Sequence, residues 1–462
     1  EIDVARVPVR EPDMTPYEIL LSESQERMLV VATKGCEDEV HRILEKWELE
    51  AEEVGEVTAD GRFRVLEDGA VVADMPALPL TDGCPTYERE GIEADEVREL
   101  REMDLAEHLI PEGDLTKAFL LLLASPNVAS KRWIYHQYDT TVRTSTAVRP
   151  GGDSGVIRIR GTEKAIAATT DCNGRFVYLD PRQGAMIAVA EAARNLVCSG
   201  AIPTAITNNL NFGNPLKQHI YYQFREAVLG MADACKAFET PVTGGNVSFY
   251  NETDGLAIYP TPVIGMVGII ENISHISPQA FQSEGDDIVL LGENTAEIGG
   301  AEYLYVTAGL VAGFPPRVDL THERQLQRAV LTMIQEKELR SAHDCSEGGL
   351  ACALAECALG DGEAPFGVNV VLDDALPSVA TLFAESQGRI VVSCAPDRTE
   401  NVIRLAMDHG VPARTIGTVG GREEPFHVTT VSGQIETDLT SLHQAYFGAL
   451  PAIMNTPVSS EE

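Results

Sequence analysis

A segment near the start of the chain recurs near its end at one fixed spacing. Residues 21–30, LSESQERMLV, resemble residues 383–392, FAESQGRIVV, and residues 54–57 resemble residues 416–419. The two matches share one register, because 385 − 23 and 417 − 55 both equal 362. A chance recurrence of one short string would not keep register across both matches. The chain therefore contains one folding unit twice, which constrains its architecture more than any other feature.

The sequence that leads into the second copy has no counterpart ahead of the first. The motif HDCSEGGL occupies residues 343–350, and a counterpart 362 positions earlier would lie before Glu1. We therefore expect the first copy to be truncated, with another complete module in the sequence ahead of Glu1.

Hydrophobic periodicity predicts a fold of class α/β (α+β) built from duplicated modules, the first of them truncated. Each copy contains a predicted helix followed by a pair of short strands. Between the copies the pattern alternates, with strands predicted at 156–160, 165–169, 259–270 and 287–291, and helices at 183–199 and 216–238.

Changes in composition divide the chain into four parts. Residues 86–114 are dense in Asp and Glu, which is typical of a solvated linker at a domain boundary. The predicted parts are the remainder of the first copy, the acidic linker and two further domains, at 1–85, 86–114, 115–272 and 273–462.

The charge of the chain excludes several kinds of partner. Its 71 Asp and Glu against 35 Lys and Arg give a net charge of −36. Such a surface argues against a general nucleic-acid binder and against docking on anionic lipid. A phosphate ligand would need compensation from Mg²⁺, backbone N–H groups or a few basic side chains. The excess acid suits either a salt-adapted host or simple solubility.

The nine cysteines favour a cytoplasmic protein with reduced thiols. Their number is odd and no C-x-x-C pair occurs, so neither a disulfide framework nor a zinc ribbon is indicated. Cys345, Cys352 and Cys357 lie in an Ala-rich apolar segment and are expected in a core. The sequence shows no signal peptide and no apolar run of the ~20 residues that span a bilayer.

Two polar motifs are candidates for ligand binding. The run NNLNFGNP at 208–215 is rich in side-chain amides, which suit either a capped turn or a cradle for a polar ligand. The run TGGNVSFYNE at 243–252 contains paired glycines that let backbone N–H groups approach a phosphate, although a plain turn would also use them. Asn246 and Ser248 are two residues apart and would share a face of an extended segment.

A second set of residues could hold a cation. Asp171 follows an apolar strand, and Glu191 and Asn195 lie four apart on one face of a predicted helix. With Asp344 they could hold Mg²⁺ on a nucleotide, or they could form an ordinary polar surface. The glycine-rich helix start at 348–349 is a generic phosphate seat. His343 fits a core position or a catalytic one.

The repeated triplet Glu-Ser-Gln, at 23–25 and 385–387, remains ambiguous on local grounds. It could present three adjacent hydrogen-bonding side chains to a ligand, or it could close a turn.

Several of these motifs together resemble those of phosphoribosylformylglycinamidine synthase of the small type, in the aminoimidazole ribonucleotide synthetase superfamily. The resemblance runs from Glu1 to about Leu450 and is carried by segments 22–28, 210–215, 244–248, 260–265 and 343–350. It implies pairs of N-terminal-type and C-terminal-type domains. Here these would be the end of a first C-terminal-type domain, a second N-terminal-type ATP-binding domain and a second C-terminal-type domain.

The resemblance also implies an activity in purine biosynthesis. Formylglycinamide ribonucleotide is phosphorylated by ATP on its amide oxygen, and ammonia then displaces phosphate to give the amidine. ATP and Mg²⁺ would be the cofactors. A separate glutaminase subunit would supply the ammonia, with a small accessory subunit as a further partner.

Site residues follow from the resemblance position by position. Glu23, Ser24, Gln25 and Ser248 look like substrate contacts, Gly245 and Asn208 like ATP contacts, and Asn246 like a Mg²⁺ ligand. Asn208 stands where similar enzymes commonly have Asp. The catalytic histidines of the family have no matching position in this chain. An auxiliary nucleotide and metal site is implied at Asp171, Glu191, Asn195 and Asp344.

Two other functions remain open. The missing histidines suit a non-catalytic, nucleotide-binding structural portion. Another ATP enzyme of the same superfamily, such as aminoimidazole ribonucleotide synthetase, selenophosphate synthetase or thiamine-phosphate kinase, generally has one module pair, which the repeat disfavours.

Overall fold

The computed structural model describes residues 1–9, 11–23, 27–111 and 113–455. Within them the chain forms two compact units, unit 1 at Glu1–Glu88 and unit 2 at Arg89–Glu462.

Unit 1 contains a small sheet in which β1 pairs in parallel with β2 and β2 pairs antiparallel with β3. Its first helix begins at a capping box between Thr15 and Glu18, which satisfies two backbone N–H groups. Asp68 and Gly69 both have positive φ and so form a tight hairpin turn between β2 and β3. The elements are β1 Ile2–Asp3, α1 Pro16–Leu21, α2 Glu37–Glu45, β2 Arg62–Glu67 and β3 Ala70–Pro76.

From Arg89 onward the charge-dense segment is part of unit 2. Its helix α3, Asp95–Arg101, buries Val97. Arg101 donates a 3.1 Å hydrogen bond to the carbonyl oxygen of Leu179 and pairs with Glu93.

The N-terminal half of unit 2 is built on a sheet with strand order β4-β5-β6-β11-β7-β8 within the described residues. Every pairing in it is antiparallel except that of β7 with β8. Its further elements are α4 Leu115–Leu123, α5 Arg132–Tyr135, β4 Thr146–Val148, β5 Gly155–Arg158, β6 Ala165–Asp171, α6 Gly174–Leu179, α7 Pro181–Cys198, β7 Ile202–Asn211, α8 Gln218–Phe238, β8 Val242–Ser248, β9 Glu252–Thr253, β10 Leu256–Ala257 and β11 Thr261–Ile270.

One face of this sheet packs on helices and the other is open. Ala165 and Ala167 of β6 lie in the core with residues of α7, whereas Ile157, Ile166 and Val267 are about half exposed. Helix α7 begins at the Asp180 cap with Pro181 in its first position, and its many alanines allow close packing.

The C-terminal half of unit 2 is built on a second sheet, with order β13-β15-β12-β16-β14-β17-β18 in the described residues. Strands β12 and β15 are almost wholly buried, as expected for continuous apolar runs. The elements are β12 Asp287–Leu291, α9 Glu302–Ala308, α10 Leu320–Gln335, β13 Ser341–Asp344, α11 Gly349–Leu359, β14 Val368–Leu372, α12 Ser378–Phe383, β15 Ile390–Cys394, α13 Thr399–Asp408, β16 Ala413–Val419, β17 Phe426–Thr430, β18 Gly433–Thr437 and α14 Leu439–Asn455.

The repeated unit is visible in the helices. Helix α1 spans 16–21 and α12 spans 378–383, while α2 starts at 37 and α13 at 399, so both pairs are 362 positions apart. In both copies the second of these helices precedes an antiparallel strand pair, β2–β3 or β17–β18. The predicted α/β class with duplicated modules is confirmed.

All nine cysteines carry free thiols. Cys345, Cys352 and Cys357 are buried, and the predicted core position of these three residues is confirmed. Among the described helices, none combines the length and the apolar character needed to cross a bilayer.

Candidate functional site

The parallel pairing of β7 with β8 brings the predicted ligand-binding residues onto neighbouring strands. Asn208 lies opposite Gly245, and Asn211 lies opposite Ser248. Strand β8 is at the edge of the sheet and its residues 242–247 are exposed, so a ligand can reach both strands. The two sequence motifs thus meet at the sheet edge, where alternation sets Asn209, Asn246 and Ser248 on one face as a polar surface and Asn208 and Gly245 on the other.

Gly245 is required by the close approach of β7. A Cβ atom at this position would lie 2.0 Å from Oδ1 of Asn208 and 2.6 Å from its carbonyl oxygen. A Cβ atom at Gly244 would have no heavy atom within 4 Å. A side chain is therefore sterically excluded at the second glycine of the pair and tolerated at the first.

Asn246 and Ser248 share one face of β8, as alternation predicts. The Asn246 Nδ2 group donates a 3.2 Å hydrogen bond to Oδ1 of Asn209. This contact uses Nδ2 of the Asn246 amide and takes no part of Oδ1, the atom a cation would use. Asn209 was not singled out from the sequence, although it belongs to the amide-rich run.

The turns that follow β7 and β8 are tied together by charge. Nζ of Lys217 lies 3.0 Å from both carboxylate oxygens of Glu252, and Oε1 of Glu252 also accepts a 2.9 Å bond from the backbone N–H of Asn214. The Asn214 bond and the Lys217 ammonium lower the pKa of Glu252. Glu252 therefore fixes the two polar motifs relative to each other. This role could not be predicted from its position at the end of the second motif.

The two copies of the Glu-Ser-Gln triplet differ in exposure. Glu23 of the first copy is exposed, and Ser24 and Gln25 lie outside the described residues. Glu385 and Ser386 of the second copy are 1% exposed. Hence the second triplet is not open to a ligand.

Contacts inside unit 2 occupy all three side chains of the second triplet. Oε1 of Glu385 accepts hydrogen bonds from the backbone N–H groups of Glu302 (2.8 Å) and Gly348 (2.9 Å). Ser386 bonds Thr295, and Gln387 accepts from Arg194. The Gly348 N–H at the start of α11, predicted as part of a phosphate seat, is instead bound to Glu385.

Burial and the nearby Glu347 charge raise the pKa of Glu385 to about 8. Its second oxygen, Oε2, is buried without a hydrogen-bond partner among the described residues. A protonated carboxyl therefore suits this position near neutral pH.

Asp171, Glu191 and Asn195 lie together between β6 and α7. Nδ2 of Asn195 donates a 2.8 Å bond to Oδ2 of Asp171, and the Glu191 carboxyl lies close enough to Asp171 to share a proton with it. Burial, followed by the charge of Glu347, raises the pKa of both Asp171 and Glu191 well above the ordinary range. Glu347, which sequence reasoning missed, is the third acid of this cluster, and burial raises its pKa too.

Asp344 forms a buried ion pair with Arg194. Nε of Arg194 lies 2.6 Å from Oδ1 of Asp344, and NH1 of Arg194 lies 2.6 Å from Glu323. All three side chains are at most 1% exposed. Oδ2 of Asp344 is buried without a hydrogen-bond partner in the described part of the chain.

His343 belongs to a buried network. Its Nδ1 lies 2.6 Å from Asp153 and its Nε2 lies 3.0 Å from Glu356, which also accepts a hydrogen bond from Tyr446. Burial alone would lower the pKa of His343, but the Asp153 carboxylate outweighs it and raises that pKa well above the usual value. His343 is only 5% exposed, which agrees with the core position that the sequence allowed for it.

Within the described ranges, no group of three or more His, Cys, Asp or Glu side chains is arranged to hold a metal ion. Mg²⁺ usually keeps only one or two protein carboxylates and takes its other ligands from phosphates and water. One or two carboxylates among Asp344 and the three clustered acids would suffice for such an ion, and Asp344 keeps one oxygen without a partner among the described residues.

Two family models match the chain. The model "AIR synthase related protein, N-terminal domain" matches residues 151–270, and "AIR synthase related protein, C-terminal domain" matches residues 1–68 and 283–429. The second model thus matches both copies of the repeat.

Curated relatives named "Phosphoribosylformylglycinamidine synthase subunit PurL" align along nearly the whole chain. The protein from Caldanaerobacter subterraneus is 48% identical over 97% of this chain and 61% of its own length. That from Moorella thermoacetica is 52% identical over 91% of this chain and 57% of its own length. The chain belongs to the phosphoribosylformylglycinamidine synthase family. It spans about three fifths of the length of these relatives.

Solved structures of the family share the fold. Thermotoga maritima PurL complexed with ATP is 26% identical, with a TM-score of 0.59 over 91% of this chain and 59% of that one. The same protein complexed with FGAR gives 25% identity and a TM-score of 0.59, over 91% of this chain and 57% of that one.

Proposed function

We propose that this chain is part of an ATP-dependent ligase that converts formylglycinamide ribonucleotide to the corresponding amidine with ammonia. The observation that carries the proposal is the β7–β8 register, which sets Asn208 against Gly245 beside Asn246 and Ser248. Support also comes from the relatives, which are PurL subunits 46–52% identical to this chain.

The polar surface suits an anionic ligand. A chain of net charge −36 repels phosphate at long range, so local donors must hold it. Gly245 lets β8 lie close to Asn208, and the amides of Asn208 and Asn209 supply neutral donors from the two faces of β7. Asn208 carries no charge where similar enzymes have Asp, so it contacts ATP without adding repulsion.

Magnesium fits the open face of β8. Asn246 would be its protein ligand, because the Asn209 contact leaves Asn246 Oδ1 available. Bound Mg²⁺ would offset the negative charge of the ATP phosphates during transfer. Asn246 would thereby set the position of the phosphates beside Gly245.

Glu23, Ser24, Gln25 and Ser248 are the proposed contacts to formylglycinamide ribonucleotide. The exposure of Glu23, in contrast with the burial of Glu385, supports a ligand-facing role for the first triplet and a structural role for the second. No general acid or base of the reaction is assigned to this chain, because the histidines of the family match none of its positions.

A second nucleotide, held through Mg²⁺, is proposed at Asp171, Glu191, Asn195 and Asp344. The raised pKa of Asp171 and Glu191 supports this site, since clustered buried acids without enough cations favour protonation or a bound cation. Occupancy without turnover would give this part of the protein a structural nucleotide, which is the second candidate function.

The proposed partners are a glutaminase subunit that supplies ammonia and a small accessory subunit, in the cytoplasm. The relatives are named as subunits, and one Thermotoga maritima structure is named PurLQS, which supports an assembly of several chains. The free thiols suit a reducing compartment.

The activity is tested on the synthetase subunit that contains this chain, with Mg²⁺, ATP and ammonium chloride. ADP release is expected only when formylglycinamide ribonucleotide is present. Release that is indifferent to this nucleotide would contradict the proposal. The 462-residue chain assayed by itself should form no amidine if it acts as a structural nucleotide-binding portion.

A further inference from the structure

Asn251 ties the end of β8 to the turn that follows β7. Its Nδ2 donates to the carbonyl oxygens of Ser248 (2.9 Å) and Phe212 (3.0 Å). Its backbone N–H donates to the Phe212 oxygen as well, at 3.2 Å, and the N–H of Phe212 returns a 3.0 Å bond to Ser248. Tyr250, just before Asn251, has a positive φ of 62°, so the chain adopts a constrained turn here.

These contacts fix which end of the Asn251 amide faces Ser248. Both partners of Nδ2 are carbonyl oxygens, which only accept hydrogen bonds. A flipped amide would set Oδ1 against two carbonyl oxygens and lose both bonds. Oδ1 therefore lies toward the Ser248 side chain, 3.2 Å from Oγ.

The orientation of the amide decides the role of the Ser248 hydroxyl. Because Oδ1 can only accept, the contact requires that Ser248 donate its single hydroxyl proton to Asn251. The Ser248 Oγ then has only lone pairs left, so it can accept further hydrogen bonds but cannot donate one.

We propose that Asn251 is a positioning residue that holds Ser248 as a hydrogen-bond acceptor, so that the substrate meets Ser248 through an N–H or O–H group and not through its phosphate. The inference rests on the proposed function, in which Ser248 contacts formylglycinamide ribonucleotide. That substrate offers amide N–H groups and ribose hydroxyls as donors, whereas its phosphate oxygens need a donor.

The test compares the nucleotide with its nucleoside, which lacks the phosphate, on the synthetase subunit that contains this chain. Binding of the nucleotide is measured by calorimetry, and the nucleoside by its inhibition constant. We expect S248A to weaken both ligands by about the same factor, of order 10-fold, as loss of one hydrogen bond to a neutral donor predicts. S274A, at an exposed serine, serves as the control and should change neither.

A penalty confined to the nucleotide would overturn the inference, since Ser248 would then contact the phosphate. Unchanged binding of both ligands to S248A would overturn it as well. A wild-type subunit that fails to bind the nucleotide would refute the proposed function and this inference with it.

The positioning role of Asn251 is tested by combining substitutions. N251A should raise KM for the nucleotide with kcat within about 2-fold, and S248A should add less than about 2-fold in the N251A background. Effects that multiply would show that Asn251 acts independently of Ser248 and would overturn the positioning role. If N251A does not fold, as judged by circular dichroism, the comparison of nucleotide and nucleoside with S248A alone still decides the proposal.

Discussion

Replacing Glu385 by Gln should make the protein less sensitive to alkaline pH. In the folded protein the pKa of Glu385 is raised to about 8 by burial, while in the unfolded chain it keeps its ordinary pKa of 4.5. Between these values the folded protein binds one more proton than the unfolded chain. The free energy of unfolding therefore falls as pH rises, by about 1.4 kcal/mol per pH unit, or about 4 kcal/mol from pH 5 to pH 8.

Gln preserves the geometry and removes the titration. Its Oε1 can accept the same bonds from Glu302 and Gly348, and its neutral amide takes the place of the protonated Oε2. We expect the difference in unfolding free energy, variant minus wild type, to grow by about 4 kcal/mol from pH 5 to pH 8 and then to level off.

The assay is urea unfolding followed by circular dichroism at one-unit steps from pH 5 to pH 9. E423Q, at an exposed glutamate, is the matched control and should run parallel to the wild type. Parallel curves for E385Q and wild type over pH 5 to 8 would refute the reasoning, because Glu385 would then be ionised in the folded state at neutral pH.

Two further predictions concern stability and thiol chemistry. R194M leaves Asp344 and Glu323 buried without their cation and should lower the free energy of unfolding, measured in urea, by about 3–5 kcal/mol. R404M, at an exposed ion pair, is the control and should lower it by less than about 1 kcal/mol. Equal losses for the two variants would contradict this prediction. The exposed Cys36 and Cys84 should react first with an aromatic disulfide reagent. Burial raises the pKa of Cys345 to about 11 and that of Cys357 to about 12, so these two thiols should react only after unfolding. A fast phase of more than four thiols per chain would contradict this prediction.

The secondary structure that positions the candidate site could be predicted from local pattern. Helix α7 was expected at 183–199 and spans Pro181–Cys198, and helix α8 was expected at 216–238 and spans Gln218–Phe238. Both helices are long and strongly patterned, so their own residues determine them. The parallel register of β7 with β8 was not predictable, because helix α8 separates the two strands in sequence.

Burial and pairing of polar residues depended on distant partners. The triplets at 23–25 and 385–387 have the same sequence. Glu385 is nevertheless buried, and it accepts a hydrogen bond from the backbone N–H of Glu302, 83 positions away. Asp344 gives up one of its two oxygens to Arg194, which lies 150 positions away, so only the other oxygen is left for a ligand. No local motif shows such contacts, since they exist only when sheet and helices have packed together.

Binding of ATP to the edge formed by β7 and β8 is tested most directly by the two adjacent glycines. Calorimetry with Mg²⁺ and ATP would compare the wild-type synthetase subunit with G245A and G244A. A Cβ atom at Gly245 would meet Asn208 at 2.0 Å, so G245A should bind ATP at least about 10-fold more weakly than the wild type. A Cβ atom at Gly244 would meet nothing within 4 Å, so the affinity of G244A should stay within about 2-fold of the wild type. Equal affinity of the two variants for ATP would contradict the placement of the nucleotide at this edge.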